Sequence, residues 1–347
     1  MEIRISNIDT LFFKDGRPFS MGEETWANDL FPPNPSVFAG AIRTAYLSNQ
    51  KIPAKDFNTE KDPTINLKIK AILYEIKKEI YLPVPSDLVL ENVNGNSRRL
   101  TALKLASAEN LISNYKLPFY LQYEGKENVT KDDKLLLSLQ SFQNYLNGKY
   151  DNLEFKNLGD FIKDEPKVGI GRDNLTKSTS EGKLYRINMK RLDGLNFIVD
   201  FENINLNEKG FLKFGGENKV VKYEESQHDI KNLFNNMNKP QNKLVKLYLL
   251  TPAIFKNGSF PDTDSELFRK YKMKLIAAAV DGYNSTGGFD MKSVEPKMMY
   301  RAVREGSVYF FEFDGDFEQL RKDFNFNSIS DFEKSIGYGI TIVGLVQ

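Results

Sequence analysis

The sequence predicts an α+β protein made of two units, each containing an antiparallel sheet. Two observations carry this prediction. At 347 residues the chain is long for a single domain. Short segments with strand character, interrupted by few helical ones, occur in both halves, and a second group of them begins near residue 205. The expected domains are therefore residues 1–204 and 205–347.

The composition excludes several classes of protein and of site. Hydrophobic residues make up 40% of the chain and aromatic residues 12%, which is enough to build cores and excludes wholesale disorder. The absence of cysteine excludes disulfides and thiolate metal sites, and a single histidine excludes histidine-rich zinc sites. No cofactor is expected. With 48 basic and 47 acidic residues the net charge is +1, so nucleic-acid binding would need a local basic patch.

The sequence gives no sign of a membrane protein. No apolar run approaches the length of a bilayer span, and the first residues lack the basic-then-apolar pattern of a signal peptide. We therefore expect a cytoplasmic protein without membrane contact, which the lack of cysteine also permits.

The first predicted strand spans residues 1–6, where apolar and polar residues alternate as in a half-buried strand. Turn residues at positions 15–18 end this part of the chain. A helix is predicted from Pro35 to residue 47, because Asn34 is a favourable N-cap and proline suits the first helical position.

Two arginines near this helix are candidate ligands for phosphate. Arg17 lies in the turn, and Arg43 lies on the helix but off its apolar stripe. A loop of fixed shape, its arginine and a nearby helix N-terminus could together hold a phosphate-bearing partner. A scaffold turn leading into a core helix explains the same spacing, and spacing alone slightly favours that interpretation.

The remaining elements follow from periodicity and from turn residues. Apolar or alternating runs predict strands at residues 66–75, 78–84, 195–201, 210–214, 244–250, 274–280 and 340–346. Apolar stripes at helical spacing predict helices at residues 132–146 and 316–324. Residues 297–305 and 307–313 are expected to form a hairpin that turns near Gly306. The segment around Arg98, Arg99 and Lys104 forms a small basic cluster of uncertain structure.

Residues 168–191 have the pattern of a long β-hairpin with a polar tip rich in serine and threonine. Only Asp173 and Glu181 oppose its basic residues, which are Arg172, Lys177, Lys183, Arg186, Lys190 and Arg191. Basic residues interleaved with an aromatic residue, here Tyr185, suit a nucleic-acid strand. An exposed hairpin kept soluble by lysines is the competing interpretation, and the residues alone favour neither.

Gly215 and Gly216 follow the predicted strand at 210–214. A pair of glycines permits positive φ and the close approach of another backbone. As a phosphate-binding loop the pair is a weak signal, because its spacing matches neither of the common glycine-rich phosphate motifs.

Taken together, these stretches resemble the RAMP-superfamily third subunit of the type III-B CRISPR (Cmr) effector complex. The matching pieces occur in family order along nearly the whole chain, at residues 9–19, 35–43, 81–88, 168–185, 214–217 and 287–289. The first piece is the most distinctive. No single piece is decisive, but an ordered series makes a chance match improbable.

The resemblance implies two tandem ferredoxin-like (RNA-recognition-like) domains with glycine-rich loops. It implies that the 168–191 hairpin is an insertion that packs along guide RNA or along the adjacent subunit. It further implies a non-catalytic role in antiviral defence. The subunit would bind the 5′ tag of the CRISPR RNA and would bridge the Cas10-type large subunit to the RAMP backbone subunit of the Cmr complex.

The residues are consistent with such a role, because single-stranded RNA is held by stacking of splayed bases and by basic or backbone N–H contacts to phosphates. Pattern and resemblance together give a set of candidate RNA-binding residues. They are Arg17, Arg43, Arg98, Arg99, Lys104, Gly169, Arg172, Asn174, Lys177, Lys183, Arg186, Gly215 and Gly216.

Two other functions remain open at this stage. The first is a metal-independent endoribonuclease that processes precursor CRISPR RNA, in which His228, or tyrosine and lysine side chains, would perform general acid–base catalysis. A lone histidine in a polar run is most often a surface residue, however. The second is a structural adaptor whose basic hairpin contacts only protein.

Overall fold

The computed structural model describes residues 1–14, 26–27, 29–53, 56–93, 97–172, 179–235, 237–290 and 295–346. Its strands in the first part of the chain are β1 (Glu2–Asn7), β2 (Trp26–Ala27), β3 (Lys68–Ile76), β4 (Glu79–Pro83), β5 (Leu88–Val93), β6 (Ser97–Ala102), β7 (Lys104–Ser107), β8 (Phe119–Gln122), β9 (Val129–Thr130), β10 (Leu135–Ser138), β11 (Phe155–Asn157) and β12 (Ile162–Arg172).

Further strands follow among the described residues. They are β13 (Thr179–Leu192), β14 (Leu195–Glu202), β15 (Lys209–Lys213), β16 (Val220–Glu225), β17 (Leu244–Leu249), β18 (Lys274–Ala279), β19 (Tyr283–Thr286), β20 (Phe289–Asp290), β21 (Glu295–Pro296), β22 (Tyr300–Val303), β23 (Val308–Glu312) and β24 (Thr341–Leu345). The helices are α1 (Pro35–Asn49), α2 (Leu139–Leu146), α3 (Glu266–Lys270) and α4 (Phe317–Phe324), with 3-10 turns at Leu158–Phe161 and Ile230–Asn232. This mixed content with several antiparallel sheets confirms the α+β class.

The largest sheet has eight antiparallel strands in the order β11-β10-β4-β3-β14-β1-β16-β15. β15 and β16 therefore belong to it although they lie beyond residue 204. They do so because Val221 and Tyr223 of β16 are buried beside Ile5 of β1 and extend its apolar face. The expected division at residue 204 does not coincide with a sheet boundary, because the next sheet begins with β17 at Leu244.

One face of the large sheet is covered by α1. The helix begins at Pro35 with Asn34 at its N-cap, as predicted. Its Phe38 ring packs edge-on against Phe197 of β14 at 5.2 Å and against Phe214, which follows β15, at 5.0 Å. The apolar stripe of α1 and the alternation in β1 thus form one core.

A second sheet of four antiparallel strands has the order β18-β23-β17-β24. One face packs into the core of the large sheet, for example through Tyr248 and Phe310. The other face packs against α3 and α4. The centre of the Phe268 ring lies 5.3 Å from that of Phe324 and 5.4 Å from that of Phe311. Every residue of β24 is buried, which confirms the prediction of a strand that is apolar on both faces.

Two predicted elements differ from the observed ones. Residues 132–146 were expected to form one helix, but β10 (Leu135–Ser138) comes first and α2 begins at Leu139 with Ser138 as its N-cap. The leucines of β10 pair with β4 and β11 inside the large sheet, and this pairing outweighs the helical spacing.

The expected hairpin at 297–313 is also wrong. β22 pairs with β19, whereas β23 lies between β17 and β18. Gly306 does turn the chain, with φ of +84°. However, its carbonyl accepts a hydrogen bond from Ser86 N at 2.8 Å, so the turn is held against the first half of the chain while its two arms diverge.

The two large sheets are joined by a buried polar contact. Lys246, in the middle of β17, is fully buried, and its ammonium lies 3.5 Å from Oδ2 of Asp87, which directly precedes β5. The Tyr145 hydroxyl donates to Asp87 Oδ1 at 2.7 Å, and the Tyr145 ring lies under the Lys246 ammonium at 3.4 Å. Burial lowers the pKa of Lys246 to about 8. The 81–88 segment thus has a clear structural role between the sheets.

We expect Asp87→Ala to lower the free energy of unfolding by roughly 3–5 kcal/mol, because it leaves the Lys246 ammonium buried without its counter-ion. Urea unfolding of the full chain measures this loss. Asp151→Ala removes an exposed carboxylate and should change stability by less than about 0.5 kcal/mol.

Adding Lys246→Met to Asp87→Ala should restore part of the loss, since an apolar pair is tolerated where a lone charge is not. A loss below about 1 kcal/mol for Asp87→Ala, or no recovery in the double variant, would contradict this account.

Candidate nucleic-acid interface

The hairpin predicted at residues 168–191 is confirmed and begins earlier than expected. β12 and β13 pair along most of their length, starting from Ile162 opposite Leu192. The register shifts near the distal end, where Arg172 lies opposite Thr179. β2 adds a third strand, parallel to β13.

Several predicted contact residues fall outside the residues that the structure describes. They are Arg17, Asn174 and Lys177. The backbones of Arg172 and Lys183 belong to β12 and β13, but their side chains are likewise outside the description. In the distal half of the hairpin, Gly169 pairs with Tyr185 and the exposed Arg186 pairs with Val168.

The base of the hairpin is anchored to the segment that follows β1. Leu11 and Lys190 exchange both backbone hydrogen bonds, at 2.8 and 2.7 Å. Phe12 packs with Ile187 and Met189 in a small buried cluster. The hairpin is therefore fixed at one end by the backbone and by apolar packing.

Carboxylates neutralise the basic residues at this base. The Lys190 ammonium lies 2.7 Å from Asp29 and also donates to Asp164. The Arg191 guanidinium forms two hydrogen bonds to Glu165, which lies next to Asp164 on β12. Spacing along the chain did not reveal these partners, because they come from the facing strand and from Asp29. The charges of Lys190 and Arg191 are therefore balanced within the protein.

The glycine pair holds the same anchoring segment. Gly215 has φ of +83°, and a Cβ added there would lie 2.4 Å from the Phe12 carbonyl oxygen. Gly216 N donates to that oxygen at 2.8 Å. Next to the pair, Glu217 accepts from Lys167 of β12 at 3.0 Å. The expected close approach of another backbone is observed, and the backbone is the protein's own.

Arg43 is held within the protein. Its guanidinium donates to Asp62 Oδ2 at 2.6 Å, to Thr64 Oγ1 at 2.8 Å and to Asn58 Oδ1 at 2.8 Å, and it lies over the Phe57 ring. Burial opposes ionisation of Asp62, but its hydrogen bonds hold the pKa of that carboxyl below the usual value. These contacts give Arg43 the structural role of fixing the 57–64 loop to α1.

The basic cluster at 98–104 lies on two small sheets, β6-β5-β9 and β7-β8. Arg99 donates to the buried Glu91 at 2.6 Å, and this bond is the first cause of a Glu91 pKa of about 2. Lys104 lies 2.7 Å from Glu124, and Arg98 is exposed on β6. The structure brings the hairpin base, residues 11–13 and the glycine pair together, and the contacts of Arg43, Arg99 and Lys104 lie elsewhere.

His228 has a defined environment. Its Nε2 lies 3.1 Å from Glu75 Oε2, and Glu75 also accepts from Arg4 at 2.6 Å and from Asn196 at 3.0 Å. Although burial opposes this, these hydrogen bonds hold the pKa of Glu75 below its usual value. His228 is partly exposed, so its imidazole is oriented by a buried carboxylate at the protein surface.

Within the described ranges, no cluster of three or more histidine, aspartate or glutamate side chains is arranged to hold a metal ion. Among the helices of the described residues, none is both long and apolar enough to cross a bilayer.

Comparison with known proteins gives a consistent result. The family model described as CRISPR-associated protein (Cas_Cmr3) matches residues 3–346. The fold is similar to a chain in the structure of the type III-B Cmr-beta complex bound to cognate target RNA, with 17% identity, a TM-score of 0.51 and coverage of 89% of this chain and 86% of that chain.

A chain in the structure of the same complex with target RNA and AMPPnP gives 18% identity, a TM-score of 0.52 and the same coverage. At such identities the likeness concerns the fold alone. No curated protein sequence gives a significant match.

We expect Gly215→Ala to destabilise the protein more than Gly194→Ala. Both positions have positive φ, but an added Cβ meets the Phe12 carbonyl at Gly215 and nothing within 4 Å at Gly194. Gly194→Ala should cost about 1–2 kcal/mol from the backbone alone. Overpacking should add about 1–3 kcal/mol at Gly215. Denaturant unfolding of both variants is the measurement, and equal losses would show that the contact with Phe12 contributes nothing.

Proposed function

The chain belongs to the Cas_Cmr3 family of CRISPR-associated proteins, and from this premise we propose that it is a non-catalytic subunit of a type III-B CRISPR ribonucleoprotein. In this proposal the subunit binds the 5′ tag of the CRISPR RNA. It bridges a Cas10-type large subunit and a RAMP backbone subunit, and it acts in antiviral defence in the cytoplasm. Its two halves are ferredoxin-like units that carry glycine-rich loops.

The observation that carries the proposal is the long hairpin of β12 and β13. It extends from the large sheet and is held at its base by the segment that follows β1 and, at Arg186 and Ile187, by β2. In the proposal its distal half lies along a bound strand. Residues 168–186 include four basic residues against two acidic ones. By sequence this segment therefore carries a net positive charge, which would attract the phosphates of an RNA strand.

The glycine pair supports the same interface indirectly. By holding Phe12, it fixes the start of the segment that leads to Arg17. We infer that Arg17, Gly169, Arg172, Asn174, Lys177, Lys183 and Arg186 form the RNA contact. Arg98 and Lys104 are a second, smaller basic area.

Arg43 and Arg99 contribute differently. Both guanidinium groups already bond to buried carboxylates, Asp62 and Glu91. Releasing either one to bind a phosphate would leave a buried carboxylate without its partner. We therefore assign both arginines a structural role away from the hairpin.

We expect Arg172→Ala with Arg186→Ala to weaken binding of a tag-bearing CRISPR RNA to the assembled complex. For single strands, the slope of log K against log salt should fall by about 0.7 for each phosphate contact that is lost. Titration of labelled RNA at several salt concentrations measures both effects.

Arg269→Ala with Lys149→Ala, which removes two exposed charges outside the hairpin, is the matched control and should leave both quantities unchanged. Unchanged affinity and slope in the hairpin variant would contradict the assigned contact. Crosslinks from the hairpin to partner peptides without RNA would instead favour the structural adaptor.

A processing endoribonuclease is the second candidate, and His228 is the observation that favours it. A partly exposed imidazole oriented by a buried carboxylate is suited to general acid–base catalysis. However, Glu75 is shared with Arg4 and Asn196, so a structural role explains the same geometry.

Under our proposal, the purified chain incubated with precursor CRISPR RNA and EDTA should give no site-specific cleavage. The His228→Ala variant should give the same pattern of uncleaved RNA. Gel analysis of end-labelled precursor gives the answer. Cleavage that the His228→Ala variant abolishes, and that an Asp151→Ala control retains, would establish the nuclease instead.

A further inference from the structure

The large sheet has an exposed face at its β15 end, opposite the face that α1 covers. The pairing of β15, β16 and β1 places Phe211 opposite Lys222, and Lys213 opposite Val220. Ile8 directly follows β1, whose last residue Asn7 lies opposite Val221, so Ile8 lies at the same end of the sheet. We define the sheet corner as Ile8, Phe211, Lys213, Val220 and Lys222.

The sheet corner exposes an unusual amount of apolar surface. Phe211 is 64% exposed, Ile8 50% and Val220 36%, whereas Leu212 and Val221, on the opposite face of the same strands, are buried. Single exposed apolar residues are common, but three large ones on one flat surface indicate a contact with another molecule.

Lysines flank this apolar surface. Lys213 and Lys222 are exposed, and within the described part of the chain no hydrogen bond or ion pair engages either ammonium group. In the next row of side chains the Glu224 carboxylate accepts a hydrogen bond from Arg4 at 3.0 Å, so it is engaged there and not by Lys213 or Lys222. The corner therefore presents two uncompensated positive charges on either side of an aromatic ring.

We propose that the sheet corner binds single-stranded RNA, with a base stacked on Phe211 and phosphates held by Lys213 and Lys222. An aromatic ring on a flat sheet surface with basic groups around it suits a splayed base and its backbone. Lysine is depleted at the centre of protein–protein interfaces, so the same residues fit a protein partner less well. A duplex does not fit, because its bases cannot reach the ring.

The sheet corner adjoins the base of the hairpin. Asp9, next to Ile8, accepts from Lys219 at 2.7 Å and lies 3.9 Å from the guanidinium of Arg191 on β13. An RNA strand that leaves the hairpin can therefore continue onto the corner. The inference goes beyond tag binding, because stacking on Phe211 requires no particular sequence.

The test uses the full chain and a labelled 15-nucleotide oligouridine without a tag, with binding followed by fluorescence anisotropy. Phe211→Leu keeps the apolar area and removes the aromatic face, so it should weaken binding at least about fivefold. Phe211→Trp should retain binding. Phe211→Ala with Lys222→Glu should weaken binding further and reduce its salt dependence.

The matched control is Ile112→Ala with Lys116→Glu, which also removes one exposed apolar side chain and reverses one exposed lysine, at another surface. It should bind as the unmodified chain does. Melting temperatures of all variants should agree, since Phe211 is mostly exposed.

Equal affinity of Phe211→Leu and the unmodified chain would overturn the proposal, as would failure of the unmodified chain to bind. If only the Arg172→Ala, Arg186→Ala variant loses binding, the hairpin contact stands and the corner contact falls. A Phe211 variant that loses partner subunits from the complex but binds oligouridine as before would also reject the RNA assignment. It would identify the corner as a protein interface.

Discussion

The arrangement of the two halves depends on the buried contact between Lys246 and Asp87. A lysine in the middle of an interior strand is tolerable only where a carboxylate meets it, and the first half supplies that carboxylate at one position. The Tyr145 ring lies beneath the ammonium, the Tyr150 hydroxyl accepts from it at 3.3 Å, and the Tyr145 hydroxyl holds the carboxylate of Asp87. Gly344 on the neighbouring strand leaves room for the lysine stem, since an added Cβ would lie 2.9 Å from Lys246 Cε. Any other placement of the second sheet would leave a charge buried alone.

The surface that we assign to RNA is held in place by other contacts than the one between Lys246 and Asp87. At the hairpin base, lysine and arginine are matched by carboxylates, and the polypeptide backbone of residues 11–13 is clamped between β13 and the glycine pair. Charge matching stabilises the base but leaves it little attraction for phosphate. On the sheet corner, by contrast, Lys213 and Lys222 are exposed and have no such partner among the described residues. The charge-balanced hairpin base, which supports the surface, is therefore distinct from the exposed basic residues that we assign to RNA contact.

The sequence predicted the elements whose signals are local. The start of α1 at Pro35, the alternation of β1 and the strand pattern of the hairpin all depend on neighbouring residues, and the structure confirms them. The strand at Leu135–Ser138 could not be separated from the helix after it, because leucines at 135 and 139 fit both periods. Its strand conformation comes from partners more than 50 residues earlier in the chain.

The site was predictable to a smaller extent, for the same physical reason. In the sequence, Arg43 and Lys190 look like free basic residues. In the fold, Arg43 forms an ion pair with Asp62, and Lys190 forms ion pairs with Asp29 and Asp164. One missed surface did carry a local signal. In β15, the side chains of Lys209, Phe211 and Lys213 lie on the same, solvent-facing side of the strand. The alternation predicts a polar residue at position 211, and the sequence has a phenylalanine there.

The pairing of β1 with β16 has a consequence for how the protein is made. Ile3 lies opposite Glu225, so more than 200 residues separate the two strands in the chain. The hairpin and β14 are therefore synthesised before β16, which is the second neighbour of β1. During that interval β1 presents an unpaired edge, and contacts between such distant segments form slowly. The nascent chain thus passes through a long stage in which its earliest strand is open to the wrong partner, and chaperone binding at this edge would protect the order of assembly.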